Sequence, residues 1–295
     1  MKISIIGSGA VGSRIGKTFA KLENDVIFYD VSDRALESLS DQRFKTTNDL
    51  GYALKNSDVS FVAVPTPTEY GRFNPKFIKK VAEDCGKEIK DEGKYHIFVL
   101  KSTVVPGTTE KIFIPGLEET SNKKVDEGFG VVYSPEFLTV IHNTWTVDKD
   151  FIKTPETEDK IVFGEGHNKT TGDTIEYLFK PFDRPIIRTD YKTAEMIKYA
   201  SNCALASRIS YWNEIYFICR ELGIESDVVA EISGMDNRIG KYGTIHKKAF
   251  GGPCLPKDLE AFIGFIEENI EHDPIYLKAV RDINENIKNI NGVRE

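Results

Sequence analysis

Lys2-Ile3-Ser4-Ile5-Ile6-Gly7-Ser8-Gly9-Ala10-Val11-Gly12 opens the chain. A short apolar run closes on a Gly-x-Gly-x-x-Gly loop. Ser13 to Leu22 then shows helical spacing, with apolar residues at Val11, Ile15, Phe19 and Leu22. Val26-Ile27-Phe28-Tyr29-Asp30 reads as a second strand that ends in an acid, eighteen positions after Gly12. Glycine loops alone are weak signals, but strand, loop, helix and strand in this order make a βαβ unit. In such a unit Gly7 permits the tight turn, Gly9 lets backbone approach a pyrophosphate, and Gly12 lets helix and strand pack closely. Gly7, Gly9, Ala10, Val11 and Gly12 are therefore expected to hold a dinucleotide at the helix N-terminus, where free N–H groups and the macrodipole favour anions. Asp30 is expected to accept hydrogen bonds from a ribose 2′-hydroxyl and to repel a 2′-phosphate, which makes NAD the expected cofactor rather than NADP.

Outward from this unit, strand-like runs recur at Arg43–Thr46, Val59–Val64, His96–Leu100, Val131–Tyr133, Ile161–Phe163 and Pro185–Ile187, with helical stretches such as Arg34–Leu39 and Pro75–Lys90 between them. The alternation predicts a doubly wound, mostly parallel Rossmann-type sheet, an α/β fold. The pattern changes near Thr189-Asp190. From there to Gly223 no strand signal and no proline occurs; Asp190 can cap the start and Gly223 can end the run. A helix of that length spans roughly 50 Å. Shorter helices are expected at Asp227–Ser233, Asp258–Asn269 and Pro274–Asn289, around an irregular stretch from Met235 to Pro256. The expected organisation is a dinucleotide-binding domain at 1–189 and an all-helical domain with one long central helix at 190–295. A helix so long, with apolar Ile197, Leu205, Ile209, Trp212, Ile215 and Phe217 along it, is expected to build a homodimer.

The chain of 295 residues carries a net charge of -7, which lacks the basic footprint of a nucleic-acid binder, so no nucleic-acid partner is expected. No apolar run approaches the length of a membrane helix, and because the first strand is read from residue 2 no signal peptide is expected. No membrane association and a cytoplasmic location are the expectation. Cys85, Cys203, Cys219 and Cys254 are far apart and the five histidines are scattered, so reduced thiols and no metal site are expected.

Further segments are more specific. Val64-Pro65-Thr66-Pro67, Lys101-Ser102-Thr103-Val104-Val105-Pro106-Gly107-Thr108 and Ser134-Pro135-Glu136-Phe137-Leu138 each follow a predicted strand. The long helix carries Ala194-Glu195-Met196-Ile197-Lys198-Tyr199-Ala200-Ser201-Asn202 and Asn213-Glu214. Asp236-Asn237-Arg238-Ile239-Gly240 and Phe250-Gly251-Gly252-Pro253-Cys254-Leu255-Pro256-Lys257-Asp258 come after it. In this order these segments resemble the UDP-glucose/GDP-mannose dehydrogenase family over nearly the whole chain. Two departures stand out. The family continues into a second Rossmann-like domain, and this sequence ends at Glu295, where that domain would begin, so weaker hold on a nucleotide is expected. The family's Arg-Glu-Gly after the Pro-Glu-Phe-Leu run is replaced by Thr139-Val140-Ile141, which leaves the sugar open.

The resemblance implies NAD-dependent oxidation of a nucleotide sugar's C6 alcohol to the carboxylate, in two hydride transfers through a cysteine thiohemiacetal and thioester, with UDP-glucose to UDP-glucuronate as the leading reaction. Cys254 is the expected nucleophile. With Pro256 read as the first helical residue, Cys254 stands just before a helix N-terminus, which favours thiolate. Lys198 and Asn202, four apart on one helix face, are implied to stabilise the oxyanion and orient the reacting hydroxyl; taken alone, Lys198 reads as a solvated helix lysine. Asp258 is implied to hold water or accept a proton, and Glu136 with Thr103 to handle the hydrolytic water. Thr66 and Thr103 are implied cofactor contacts. Glu136, Phe137, Leu138, Lys198, Asn202, Arg238 and Gly251 are implied substrate contacts, with Arg238 reaching a neighbouring subunit and the glycines at 251 and 252 giving the sugar close approach. The competing readings are a single two-electron dehydrogenase of the β-hydroxyacid or 6-phosphogluconate type, which needs no cysteine, and an inactive cofactor-binding short form.

Overall fold

The computed structural model describes residues 1–139, 145 and 151–294. Two compact units divide the chain. The first comprises Met1–Pro67, Asn74–Phe137 and Thr154–Lys198; the second comprises Thr68–Phe73, Leu138–Lys153 and Tyr199–Glu295.

The first unit is built on one sheet of eight strands: β1 (Lys2–Ile6), β2 (Asp25–Tyr29), β3 (Lys45–Thr47), β4 (Val59–Val62), β5 (His96–Leu100), β6 (Phe129–Tyr133), β7 (Ile161–Glu165) and β8 (Ile186–Thr189). Their spatial order is β8-β7-β6-β5-β4-β1-β2-β3. Neighbours run parallel except β6 and β7, which pair antiparallel through Val132 with Glu165 and Tyr133 with Gly164. The chain reverses its direction of winding between β1 and β4, the switch point at which open α/β sheets bind ligands beyond their strand ends. Central strands read as continuous apolar runs because helices cover both faces. Helix Ala10–Lys21 turns Ile15 and Phe19 onto the sheet, and Phe19 meets Phe61 at 4.9 Å and Phe179 at 5.3 Å between ring centroids.

One polar chain runs through this apolar layer. The Ser57 hydroxyl donates to Ser4 Oγ at 3.0 Å, Ser4 and Ser60 hydroxyls share a 2.6 Å bond, and Ser60 meets His96 Nε2 at 2.7 Å. All four residues are buried, and each is satisfied by the others, as buried polar groups require.

Among the described residues the second unit is helical apart from two small two-stranded sheets, one of them made by Thr68–Phe73, outside 190–295. Its helices are the end of Tyr191–Leu222, Ser226–Ser233, Leu255–Asn269 and Ile275–Asn291. The hairpin Thr68–Glu69 with Arg72–Phe73 packs on Leu255–Asn269, with the Thr68 hydroxyl donating to Lys257 O at 2.9 Å. Ala249–Phe250 pairs in parallel with Val293–Arg294. Strands of two residues show no period of two, so the sequence pattern does not reveal them. Helix Lys169–Phe179 and the π-helical turn Thr109–Phe113 leading into Ile114–Ser121 also lie outside the sequence reading. The helix at 190–223 is present as 32 residues, Tyr191–Leu222, with Asp190 Oδ1 accepting from Thr193 N at 2.9 Å and Gly223 at φ +68° beyond its end. Among the described residues no helix is long and apolar enough to cross a membrane.

Candidate active site

Gly7 and Gly12 meet the steric demands made of them. Gly7 takes φ +95°, and a Cβ there would lie 2.6 Å from Ala63 O. A Cβ on Gly12 would lie 1.9 Å from Gly7 O, whereas one on Gly9 would meet nothing within 4 Å. The loop is thus closed on its protein side and open on its outer side. Helix Ala10–Lys21 starts three residues earlier than expected because extended Gly9 is itself the N-cap. That N-cap has no side-chain hydrogen bond, and no acid stands in the first turn, so the helix's first N–H groups are left for an anion. Those residues fit a dinucleotide pyrophosphate. Asp30 Oδ2 accepts from Ser8 N at 2.7 Å and its Oδ1 from Ser32 N at 2.9 Å, so Asp30 ties the loop to the end of β2. Thr66 is buried on the neighbouring strand end, where the Ser102 hydroxyl donates to Val64 O at 2.7 Å.

Four ionisable side chains gather around the segment that follows β6. Lys198 Nζ donates to Glu136 O at 2.6 Å, stands 3.3 Å from Glu136 Oε1, and lies 5.3 Å from the Phe137 ring centroid. It is 3% exposed, which corrects the reading of a solvated lysine. On its other side the segment meets Lys101, whose Nζ donates to Ser134 Oγ at 3.3 Å and Pro135 O at 3.1 Å. Glu158 accepts from Phe137 N. Burial holds the Lys101 ammonium below its ordinary range and pushes the Glu158 carboxyl above it. Lys101 enters the sequence reading only within the segment Lys101–Thr108, and the sequence carries no local signal for Glu158. Thr103 is half-buried two residues beyond Lys101, and Leu138 begins the chain's passage toward Val140 and Ile141, which lie outside the described residues.

One turn before Lys198, Glu195 is fully buried. Its Oε2 accepts from Gly107 N at 2.5 Å and its Oε1 from Thr109 N at 2.8 Å and the Thr109 hydroxyl at 2.6 Å. Burial pushes its carboxyl up to about 7, against the pull of these three donors. In the sequence Glu195 is marked only by its place in the segment Ala194–Asn202, four residues after Tyr191.

In the second unit, Cys254 is the N-cap of helix Leu255–Asn269, with Pro256 second in the helix rather than first. It is half-buried, whereas Cys85, Cys203 and Cys219 are buried, and burial pushes the Cys203 thiol up to about 12. A thiol at a helix N-terminus and not sealed from solvent is the one placed to react. Asn202 Nδ2 donates to Asp258 Oδ2 at 2.6 Å, Lys257 pairs with Asp258 Oδ1, and Asp258 N donates to Cys254 O at 2.9 Å. Asn284 holds both the N–H and the carbonyl of Phe250, and Asn213 accepts from Lys247 N and donates to Lys248 O, so the approach to Cys254 is clamped from two helices. A Cβ on Gly251 would lie 2.3 Å from Val293 Cγ1: the close approach this glycine permits is made by the chain's own C-terminal strand. Arg238 is exposed and paired with Asp236 at 2.6 Å.

Residues 33–183 match the NAD binding domain of the UDP-glucose/GDP-mannose dehydrogenase family, and residues 192–286 match its central domain. A UDP-glucose 6-dehydrogenase from Haloferax volcanii is 34% identical over 97% of this chain and 70% of its own length. A GDP-mannose 6-dehydrogenase from Pseudomonas aeruginosa is 35% identical over 88% of this chain and 63% of its own length. The structure of a UDP-glucose dehydrogenase from the hyperthermophilic archaeon Pyrobaculum islandicum superposes with a TM-score of 0.83 at 31% identity, covering 97% of this chain and 68% of that one. The chain thus spans about two thirds of the length of these relatives. With its NAD-binding Rossmann sheet and its cysteine-bearing helical unit, the chain belongs to the UDP-glucose/GDP-mannose dehydrogenase family of NAD-dependent oxidoreductases that act on CH–OH groups.

Proposed function

We propose that the chain oxidises the C6 alcohol of a nucleotide sugar to the carboxylate in two steps, with UDP-glucose as the substrate and UDP-glucuronate as the product. The observation that carries this reading is Cys254, a half-buried thiol at a helix N-terminus, with the buried Asn202–Asp258 pair one helical turn on. NAD, when bound at the glycine loop, supplies the hydride acceptor for both oxidations. Residues 1–189 are assigned to the cofactor and 190–295 to the thiol chemistry.

The intermediate aldehyde must not escape between the two oxidations. The Cys254 sulfur attacks its carbonyl carbon, forming a C–S bond while the oxygen takes a proton, and the sugar is held as a thiohemiacetal. After the second oxidation the same carbon is a thioester. Water adds to it, the C–S bond breaks, the thiolate leaves and the acid is released. The Lys198 ammonium and the Asn202 amide are the donors for the negative oxygen in these steps. Glu136 takes the proton of the hydrolytic water, and Thr103 orients that water. Asp258, held by Asn202 and Lys257, fixes the Asn202 amide.

A homodimer through the long helix is part of this proposal. Ile209 and Trp212 are buried within the second unit itself, so the apolar surface left for a partner is supplied by Tyr211, Ile218 and Leu222 with Val228, Ile232 and Met235, all exposed.

The test is turnover of purified chain with UDP-glucose, GDP-mannose and related nucleotide sugars. Two NADH per sugar and an acid product are expected. One NADH per sugar would return the reaction to the simple two-electron class, and no NADH with any nucleotide sugar would end the proposal. A monomer by solution mass measurement at micromolar concentration would remove the dimer.

A further inference from the structure

The segment Ser134–Phe137 is gripped at successive points by side chains that are themselves buried. Lys101 takes the Ser134 hydroxyl and the Pro135 carbonyl, Lys198 takes the Glu136 carbonyl, and Glu158 takes the Phe137 amide. The proposed chemistry accounts for Lys198 and Glu136. It does not account for Lys101 and Glu158, which are 3% and 7% exposed.

Taking two charges out of water is costly, and neutral donors would hold a backbone segment at lower cost. The electrostatics supply a reason for the charges. The Glu136 carboxylate lies within the field of two ammonium groups, Lys101 and Lys198. Without a second carboxylate, Lys101 would compete for it. Glu158 attracts Lys101 as well, and it holds the amide of the residue next to Glu136. Lys198 pairs with Glu136, and Glu158 is a second carboxylate whose field reaches Lys101.

We propose that Glu158 is a positioning residue: by answering the charge of Lys101 and fixing the Phe137 amide, it leaves the Glu136 carboxylate to Lys198. The proposal rests on the roles assigned above to Glu136 and Lys198. Nothing in the sequence near Glu158 marks it for this task; the assignment comes from where the fold puts it.

Glu158→Gln keeps an oxygen for the Phe137 amide and removes the charge. Its kcat is expected to fall about 10- to 100-fold, the usual effect of misplacing a reacting group, with KM for NAD unchanged. The double variant Glu158→Gln with Lys101→Gln removes both charges while keeping amide donors at 101, and is expected to recover at least about tenfold of the loss. A Glu158→Gln enzyme with wild-type kcat, or a double variant no faster than the single, overturns the proposal. If wild-type protein turns over no nucleotide sugar, the functional reading has failed, and hydrogen exchange on the resting protein decides this one. Amide exchange across Glu136 and Phe137 is then expected to quicken in Glu158→Gln and return toward wild type in the double variant. Identical exchange in all three proteins overturns the proposal.

Discussion

The ammonium of Lys198 donates to the backbone carbonyl of Glu136 at 2.6 Å and stands 3.3 Å from a carboxylate oxygen of the same residue. One side chain from the long helix therefore fixes both the backbone and the acid of a segment 62 residues earlier in the chain. Removing one partner of a buried ion pair strands the other, which costs about 3–5 kcal/mol. Lys198→Met is expected to lower unfolding free energy by about that amount and to reduce kcat at least about 100-fold. Urea unfolding beside NADH turnover checks both. Unchanged stability would show that the pair is not closed in solution.

Asp30 is predicted to set cofactor choice. Asp30→Ala is expected to weaken NAD binding about tenfold and to bring the two cofactors' affinities together, since a hydrogen bond to a charged group is worth about 1.5–3 kcal/mol. Part of the loss belongs to the Ser8 amide, which Asp30 also holds. Titration of both cofactors is the measurement, and wild-type protein that binds NADP as tightly as NAD would refute the assignment.

Cys254→Ser is predicted to fail at the second half of the reaction. A serine hydroxyl is far less ionised than a thiol at a helix N-terminus, and an ester releases its alcohol less readily than a thioester its thiolate. Mass analysis after incubation with sugar nucleotide and NAD should show aldehyde or protein-bound ester in place of acid. Undiminished acid production would make Cys254 structural.

His96 is predicted to make the first unit acid-labile. Burial depresses its folded pKa from 6.5 to about 3. The fold therefore prefers the neutral ring, and this contribution is fully present above the unfolded value of 6.5. As pH falls from 6.5 toward 3, the unfolded chain takes up a proton that the folded chain refuses, so stability declines by about 1.4 kcal/mol per pH unit. His96→Gln should flatten that limb in urea unfolding at a series of pH values. An acid limb of equal slope in both proteins would assign the lability to other groups.

The parts of this molecule that could be read from the sequence are those in which neighbours in the chain are neighbours in space. The helix start at the glycine loop, Asp190 as a cap, and Cys254 before a helix all rest on contacts within a few residues. Glu195 meets its donors 86 and 88 residues away, and Glu158 meets Phe137 across 21 residues that include a segment unlike the family's. No local period carries that information. Lys198 shows the difference most directly: its spacing from Asn202 gave the helix face, but its burial depends on Glu136 and Phe137, which helical periodicity does not reach.

Glu195 and Lys198 stand three residues apart at the start of the long helix, and each grips a different loop of the first unit. A straight α-helix turns about 100° for each residue. Inserting or deleting a single residue between them would swing one grip away from its loop while the other stayed, whatever the inserted side chain. Met196, exposed between them, is free to change its chemistry. The spacing itself has no such freedom. Over evolutionary time this stretch should accept replacements at its outward positions and reject changes of length, a constraint on gaps rather than on letters.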